Sequence, residues 1–308
     1  MDYLVHTLSL KPDYQGEVVA QLYQRKKEVS SSVAYLFIHG FADYFYQKQH
    51  GDNIGEKQMD FYALELRKYN QSKLPHQSYF YCRNLEEYFE EIDQSIEFLQ
   101  EKNYQQIIIE GHSMGGLVLA MYLANGRHRD KISLGIFNGP FFDFNIPSYL
   151  KILLPASKYM SKVFPYLKDY VGSPSFDHYN HSLHKDFKGE WDFEIEVKSP
   201  PKAKVYYAWV WAIYSAQKEL KKGLNIPQPL LVMHSDKSCS GAVWTDEIMT
   251  SDAVLNINHI KENAPFLGKN VEIVQIENAM HNVFLSQKHV REKALEITLN
   301  FIEKNLSK

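Results

Sequence analysis

The residues best placed to do chemistry lie in Gly111-His112-Ser113-Met114-Gly115. Three β-branched apolar residues, Ile107 to Ile109, lead into this segment, and a helix-competent apolar run, Leu117 to Ala124, follows it. The order is strand, tight turn, helix, with a serine at the turn. A G-x-S-x-G spacing in that setting has a physical reason. The serine backbone is strained so that its hydroxyl stands clear of the sheet, and a Cβ at either flanking glycine would collide with the neighbouring strand or helix. The expectation is a nucleophile elbow with Ser113 at its tip; the alternative is a plain glycine-rich turn. A serine hydroxyl is a poor nucleophile at neutral pH, so a base must take its proton. Downstream, His281 follows the last apolar strand, Val271 to Ile276, and Asp236 and Asp252 are the candidate acids between the strand Pro229 to His234 and that one. A second loop of interest is His39-Gly40-Phe41, at the end of the hydrophobic strand Ser32 to Ile38. A His-Gly loop delivered by such a strand is a place for an oxyanion hole, although an ordinary strand-ending turn would read the same.

These residues need a scaffold, and the pattern supplies one. Glu17 to Gln24, Phe61 to Leu66 and Ile132 to Asn138 read as further strands. Leu85 to Gln100 places Leu85, Tyr88, Phe89, Ile92, Ile96 and Leu99 at three-to-four spacing with carboxylates opposite, which predicts an amphipathic helix with a solvated acidic face. Glu292 to Leu306 predicts another. Strands alternating with helices over this length predict a mostly parallel sheet covered on both faces, because parallel strands need helical crossovers and gather their loops at one end. The alternation stops after Asn138. Residues 140–225 contain seven prolines and eighteen of the chain's forty-three aromatic residues, and predict an inserted helical cap between two core segments, 1–139 and 226–308. Within it, His178, His181 and His184 recur at intervals of three, a spacing that could ligate a metal. No cysteine or second pair completes a site, so a solvated loop is expected and no metal.

Composition narrows the partners. With 308 residues and 44% hydrophobic content the chain can bury a large core. A net charge of −3 without an evident basic face argues against nucleic acid. Cys82 and Cys239 form no disulfide or metal framework. The first residues lack a basic and apolar leader, and no run reaches eighteen apolar residues, so a cytoplasmic protein without an integral membrane segment is expected. Oligomeric state is not encoded in any of these features.

The order Ser113, Asp, His281, each after a strand, resembles the α/β-hydrolase superfamily. The aromatic cap resembles the branch of monoacylglycerol lipases, lysophospholipases and serine-aminopeptidase-like hydrolases. The resemblance runs from about Val18 to the C-terminus. Arg67 to Ser72 is similar to that family's R-G-H-G-x-S segment, with Lys68 and Asn70 where glycines are usual. The resemblance implies an α/β-hydrolase fold and an acyl-enzyme mechanism with no cofactor. Ser113 would be nucleophile and His281 base, with backbone N–H groups of Phe41 and Met114 as oxyanion donors. For the acid, Asp236 follows its strand at once, as the family's acid usually does. Asp252 opens Asp252-Ala253-Val254-Leu255-Asn256-Ile257, similar to the family's D-x-V-V-P-V segment, and an insertion from Ser235 to Thr250 would explain its distance from the strand. Asp252 is the expected member, against a helix-capping role for it and a turn role for Asp236. The substrate expected is a carboxylic ester with its acyl chain under the cap, of the monoacylglycerol, lysophospholipid or short acyl ester type. An amide, an acyl acceptor other than water, or ligand binding without catalysis are the alternatives.

Overall fold

The computed structural model describes residues 3–26, 31–169, 174–198, 200 and 205–306. Strands β1 (Tyr3–Asp13), β2 (Gly16–Arg25), β3 (Val33–Ile38), β4 (Asp60–Glu65), β5 (Gln106–His112) and β6 (Leu134–Asn138) are joined by helices α1 (Lys48–Gly55), α2 (Phe89–Glu101) and α3 (Met114–Asn125). The chain then leaves the sheet for α4 (Ser148–Lys151), α5 (Ser157–Val163), the two-residue strands β7 (Lys168–Asp169) and β8 (Val205–Tyr206), α6 (Pro174–Leu183), α7 (Ile195–Lys198) and α8 (Tyr207–Leu220). It returns as β9 (Leu230–Ser235), α9 (Ile257–Asn263), β10 (Val271–Ile276) and α10 (Lys288–Leu306). Residues 170–173, 199 and 201–204 of the expected cap, Pro201 among them, lie outside the described residues.

The large sheet has eight strands in the order β1-β2-β4-β3-β5-β6-β9-β10. β1, β2 and β4 pair antiparallel; from β4 onward every neighbour is parallel. This is the mostly parallel sheet expected from the alternation, in the α/β-hydrolase fold that the resemblance implies. β5 lies near the centre, and its three isoleucines are buried on both faces, as a parallel strand covered on two sides requires. Ile107 and Ile109 pack into one core with Leu117 to Leu123 of α3 and Ile92, Ile96 and Leu99 of α2. Ile108 points the other way, into a second core with Ile136, Leu231, Ala294 and Phe301. The period of two along the strand thus feeds two separate layers. Helix α3 is apolar all round because it is buried all round; every residue from Met114 to Leu123 is enclosed. Among the described residues no helix is long and apolar enough to cross a membrane.

Two local expectations are corrected. The Leu85 to Gln100 segment starts as a 3₁₀ turn, Leu85 to Tyr88, before α2. Nor is the acidic face of that helix wholly solvated, because Glu91 is fully buried against residues 67–72. Arg67 is buried and holds Glu91 in a forked pair, with Nη2 2.6 Å and Nε 2.9 Å from Oε2. Lys68 is also buried and bonds Asp13 at 2.6 Å, with its ammonium 4.4 Å from the Tyr14 ring centroid, which ties the β1–β2 hairpin to this loop. The two positions where the family pattern has glycine, Lys68 and Asn70, have φ of +67° and +31°. The left-handed backbone is therefore kept without glycine, and each side chain is anchored: Lys68 by Asp13, and Asn70 through its amide donating to Glu65 Oε2 at 2.9 Å.

Glu91→Ala would leave the Arg67 guanidinium buried with only its Glu90 partner. The expected loss is about 3–5 kcal/mol of unfolding free energy by urea denaturation, and a loss below about 1 kcal/mol would show that the pair is not structurally important.

Candidate active site

Ser113 joins β5 to α3 and has φ +52°, ψ −117°, a left-handed conformation unfavourable for a side chain with a Cβ. It persists because its surroundings leave no alternative. A Cβ on Gly111 would stand 2.5 Å from Gly115 O, and one on Gly115 would stand 2.4 Å from His39 O and 2.6 Å from Ile38 O. Only glycine lets β5, α3 and the end of β3 approach this closely. The turn is pinned by Ser113 N–H donating to Asn138 O (3.0 Å) and by Phe141 N–H donating to Ser113 O (3.0 Å). Met114 is the first residue of α3, where helix N–H groups and the macrodipole favour negative charge. Phe41 lies on the loop after β3, next to Ala42 at φ +48°. That loop abuts the serine: a Cβ on Gly40 would be 3.1 Å from Ser113 Cβ.

His281 follows β10 and meets Asp252, with Nδ1 2.9 Å from Oδ2. The other oxygen, Oδ1, accepts N–H bonds from Val254 (2.9 Å) and Leu255 (2.7 Å), so the carboxylate cannot swing away without breaking three contacts. A carboxylate accepts; Nδ1 therefore carries the proton, and the Nε2 lone pair is left for another partner. Asp236 is used differently. Its N–H donates to Ile276 O at 3.1 Å and its Oδ1 accepts from Asn278 N–H at 2.7 Å, which joins the exits of β9 and β10. The Ser235 to Thr250 stretch folds back so that Asp252 N–H reaches Lys237 O (3.0 Å) and Cys239 N–H reaches Asp252 O (3.1 Å). The structure thus brings Asp252, not Asp236, to His281.

Ser113 and His281 border one cavity of about 470 Å³. Its lining is mixed. Phe41, Phe141, Phe144, Trp209, Val210 and Leu255 contribute apolar surface, with the Phe41 and Trp209 rings 4.3 Å apart. His112, Tyr179, Asp43 and Lys198 contribute polar groups. Lys198 and Asp43 form a buried ion pair, and Lys198 Nζ also donates to Tyr46 OH at 3.3 Å. Burial pushes the Asp43 carboxyl up, but the Lys198 ammonium and the neighbouring imidazoles outweigh it and hold it below the usual range. His112, whose ring lies 4.8 Å from that of His281, is pushed down to about 3 by burial first and by His281 second. It is a neutral wall residue at physiological pH, its Nδ1–H donating to Asn138 O at 2.9 Å.

The expected loop at His178 to His184 is instead helix α6 and its end, and the three rings point to separate partners. His178 Nδ1 meets Gly241 O (2.8 Å), His181 stacks on Phe187 (4.1 Å), and His184 Nε2 meets Phe193 O (2.8 Å). Among the described residues no group of three His, Cys, Asp or Glu side chains is placed to hold a metal ion. Sequence reasoning did not single out Asp43, Lys198, Tyr179 or Asn138. Asp43 sits two residues past the His-Gly-Phe loop and Asn138 at the carboxyl end of a strand, positions that point at the cleft; nothing local marks Lys198 or Tyr179.

Solved structures with the same fold cover almost the whole chain. A soluble variant of the monoglyceride lipase of Saccharomyces cerevisiae, solved with a substrate analogue, is 17% identical, with a TM-score of 0.69 and coverage of 98% of this chain and 97% of that one. The monoacylglycerol lipase of Paleococcus ferrophilus is 16% identical, with a TM-score of 0.64 and coverage of 99% and 100%. Est1E of Butyrivibrio proteoclasticus, solved with ferulic acid, is 14% identical, with a TM-score of 0.60 and coverage of 98% and 100%. At these identities the likeness is one of fold. No curated protein sequence matches the chain. A family model described as serine aminopeptidase, S33, matches residues 30–239, a span holding the His-Gly loop and Ser113 and ending at Cys239. Two thirds of the sequence thus fits one family pattern, and the chain belongs to the serine aminopeptidase, S33, family of α/β-hydrolases.

Proposed function

We propose that this chain is a serine hydrolase that cleaves carboxylic esters through an acyl-enzyme. The observation that carries the reading is the strained Ser113 on the wall of a cavity it shares with His281, whose far nitrogen is fixed by Asp252. On this reading Ser113 Oγ attacks the acyl carbonyl while His281 Nε2 takes its proton. Asp252 holds the tautomer and stabilises the imidazolium that forms. The backbone N–H groups of Met114 and Phe41 receive the developing oxyanion, each contributing on the order of a hundredfold or more in turnover. His281 then returns the proton to the departing alcohol, and water, activated by the same imidazole, releases the acid. No cofactor enters this sequence of steps.

The cavity supports an acyl ester over a peptide as substrate. A peptidase that takes a free α-amino terminus needs an uncompensated carboxylate beside the nucleophile. Asp43, which lines the cavity, is neutralised by Lys198. The apolar lining, with Phe41, Phe141, Phe144 and Trp209, suits the acyl part. The segment 140–225, which supplies most of that lining, is read as the cap, and the Lys198–Asp43 pair ties it to the loop after β3. Monoacylglycerols, lysophospholipids and short acyl esters all fit this description.

Three outcomes follow. A serine-directed fluorophosphonate labels Ser113 in the folded protein, and Ser113→Ala abolishes both labelling and ester turnover, a loss on the order of 10⁵ or more in kcat; an unlabelled but folded wild-type chain would point to ligand binding without catalysis. Asp252→Ala lowers kcat on the order of 10³–10⁴ whereas Asp236→Ala stays within about tenfold, and the reverse order would exchange their roles. Across p-nitrophenyl esters of increasing chain length, kcat/KM rises with each added methylene until the apolar lining is covered. A monoacylglycerol is turned over faster than an amide of the same acyl group. No turnover of any ester would defeat the proposal.

A further inference from the structure

Asn138, the last residue of β6, is completely buried and lies between the two halves of the candidate site. Its backbone oxygen accepts from Ser113 N–H at 3.0 Å and from His112 Nδ1–H at 2.9 Å. Its side chain faces the opposite loop. Oδ1 accepts from Val283 N–H at 3.0 Å, and Nδ2 donates to Asn282 Oδ1 at 2.9 Å and to Glu110 Oε1 at 3.1 Å. The amide orientation is unambiguous, because a backbone N–H can only donate and a carboxylate accepts. Asn282 is next to His281, and its Oδ1 also receives Phe284 N–H at 3.1 Å. Glu110, three residues before Ser113, is itself locked by Tyr35 OH (2.7 Å) and His50 Nε2 (2.7 Å). One residue therefore contacts the nucleophile turn through its main chain and the histidine loop through its side chain.

The geometry points to Asn138 as a positioning residue that sets the spacing between Ser113 and His281. The need for one is physical. Ser113 belongs to a rigid strand–helix junction, whereas His281 stands on a loop that continues as a 3₁₀ turn, Val283 to Leu285, and forms no ladder with the sheet. Its distance from the serine must be set by side-chain contacts. The chain after Asn138 confirms how close the two loops run: a Cβ on Gly139 would stand 2.3 Å from His281 O. A hydrogen-bonded amide here transfers the rigidity of β5 and β6 to the imidazole. A displacement of about 1 Å at reacting atoms is worth on the order of a hundredfold in rate.

This inference rests on the proposed serine chemistry, so its test has one readout that does not. Asn138→Ala keeps the backbone oxygen and removes only the contacts to Val283, Asn282 and Glu110. With a p-nitrophenyl ester, kcat is expected to fall by about 30- to 100-fold while KM stays within about threefold. In proton NMR, the downfield Nδ1–H resonance of His281, assigned by its loss in His281→Ala, is expected to shift or broaden. Asn282→Ala, which cuts the same link from the other end, should behave alike, and it decides the question if Asn138→Ala does not fold. Asn282→Asp keeps the oxygen acceptor and should restore kcat to within about tenfold of wild type with the resonance in place. A folded Asn138→Ala with kcat within threefold of wild type and an unmoved resonance overturns the inference. If the wild-type chain turns over no ester, the proposed function fails, and the NMR comparison alone then decides for or against the positioning role.

Discussion

The left-handed backbone of Ser113 is the constraint on which the rest of the site depends. Such a conformation costs on the order of 1–3 kcal/mol and persists only where neighbouring structure over-determines it. Here β5, α3 and the end of β3 meet through glycines with no room for a Cβ, and Asn138 and Phe141 hold the turn from the β6 side. The burial of α3 on all sides and of β5 on both faces provides the stability that offsets this local cost. The result is a serine fixed to a rigid junction with its hydroxyl at a cavity wall.

The other half of the site is held by polar contacts in place of a ladder. Asp252 reaches His281 only because the stretch after β9 loops back and bridges to it at Ser238, so that the carboxylate leaves its own strand end and arrives from a neighbouring loop. Its two backbone donors orient it, and the imidazole is oriented in turn. Two titratable neighbours carry no unpaired charge: His112 is kept neutral by burial, and Asp43 is paired with Lys198. The Asp43 and Lys198 charges in the cavity lining thus compensate each other, beside the apolar side chains of Phe41, Phe141, Phe144 and Trp209.

Much of this was legible in order along the chain. The Ile107 to Ile109 run, the glycines around Ser113 and the apolar helix after them specify a strand–turn–helix whose side-chain period and steric needs are local. For the same reason the parallel sheet followed from alternating strands and helices. The first strand, Tyr3–Asp13, was not anticipated: it lies at the edge of the sheet and its exposed Leu4 and Val5 blur the alternation by which strands are read. The acidic face of the Leu85 to Gln100 segment was expected to be solvated, whereas Glu91 is buried against Arg67, a partner outside the helix. The histidines at 178, 181 and 184 share a spacing but not a partner, since each ring follows the packing of its own side of α6.

By itself the sequence determined the mostly parallel sheet and the strand–turn–helix around Ser113, because these depend on short-range periodicity and on steric demands within a few residues. Which aspartate meets His281 was a choice between two residues with comparable local context, and it turned on how the stretch from Ser235 to Thr250 folds back. That is a question of long-range contact. The pairing of Lys198 with Asp43 and the bridging of two loops by Asn138 were likewise decided only in the tertiary structure. Each joins groups more than a hundred positions apart, and hydrogen bonds of such reach leave no pattern in the local sequence.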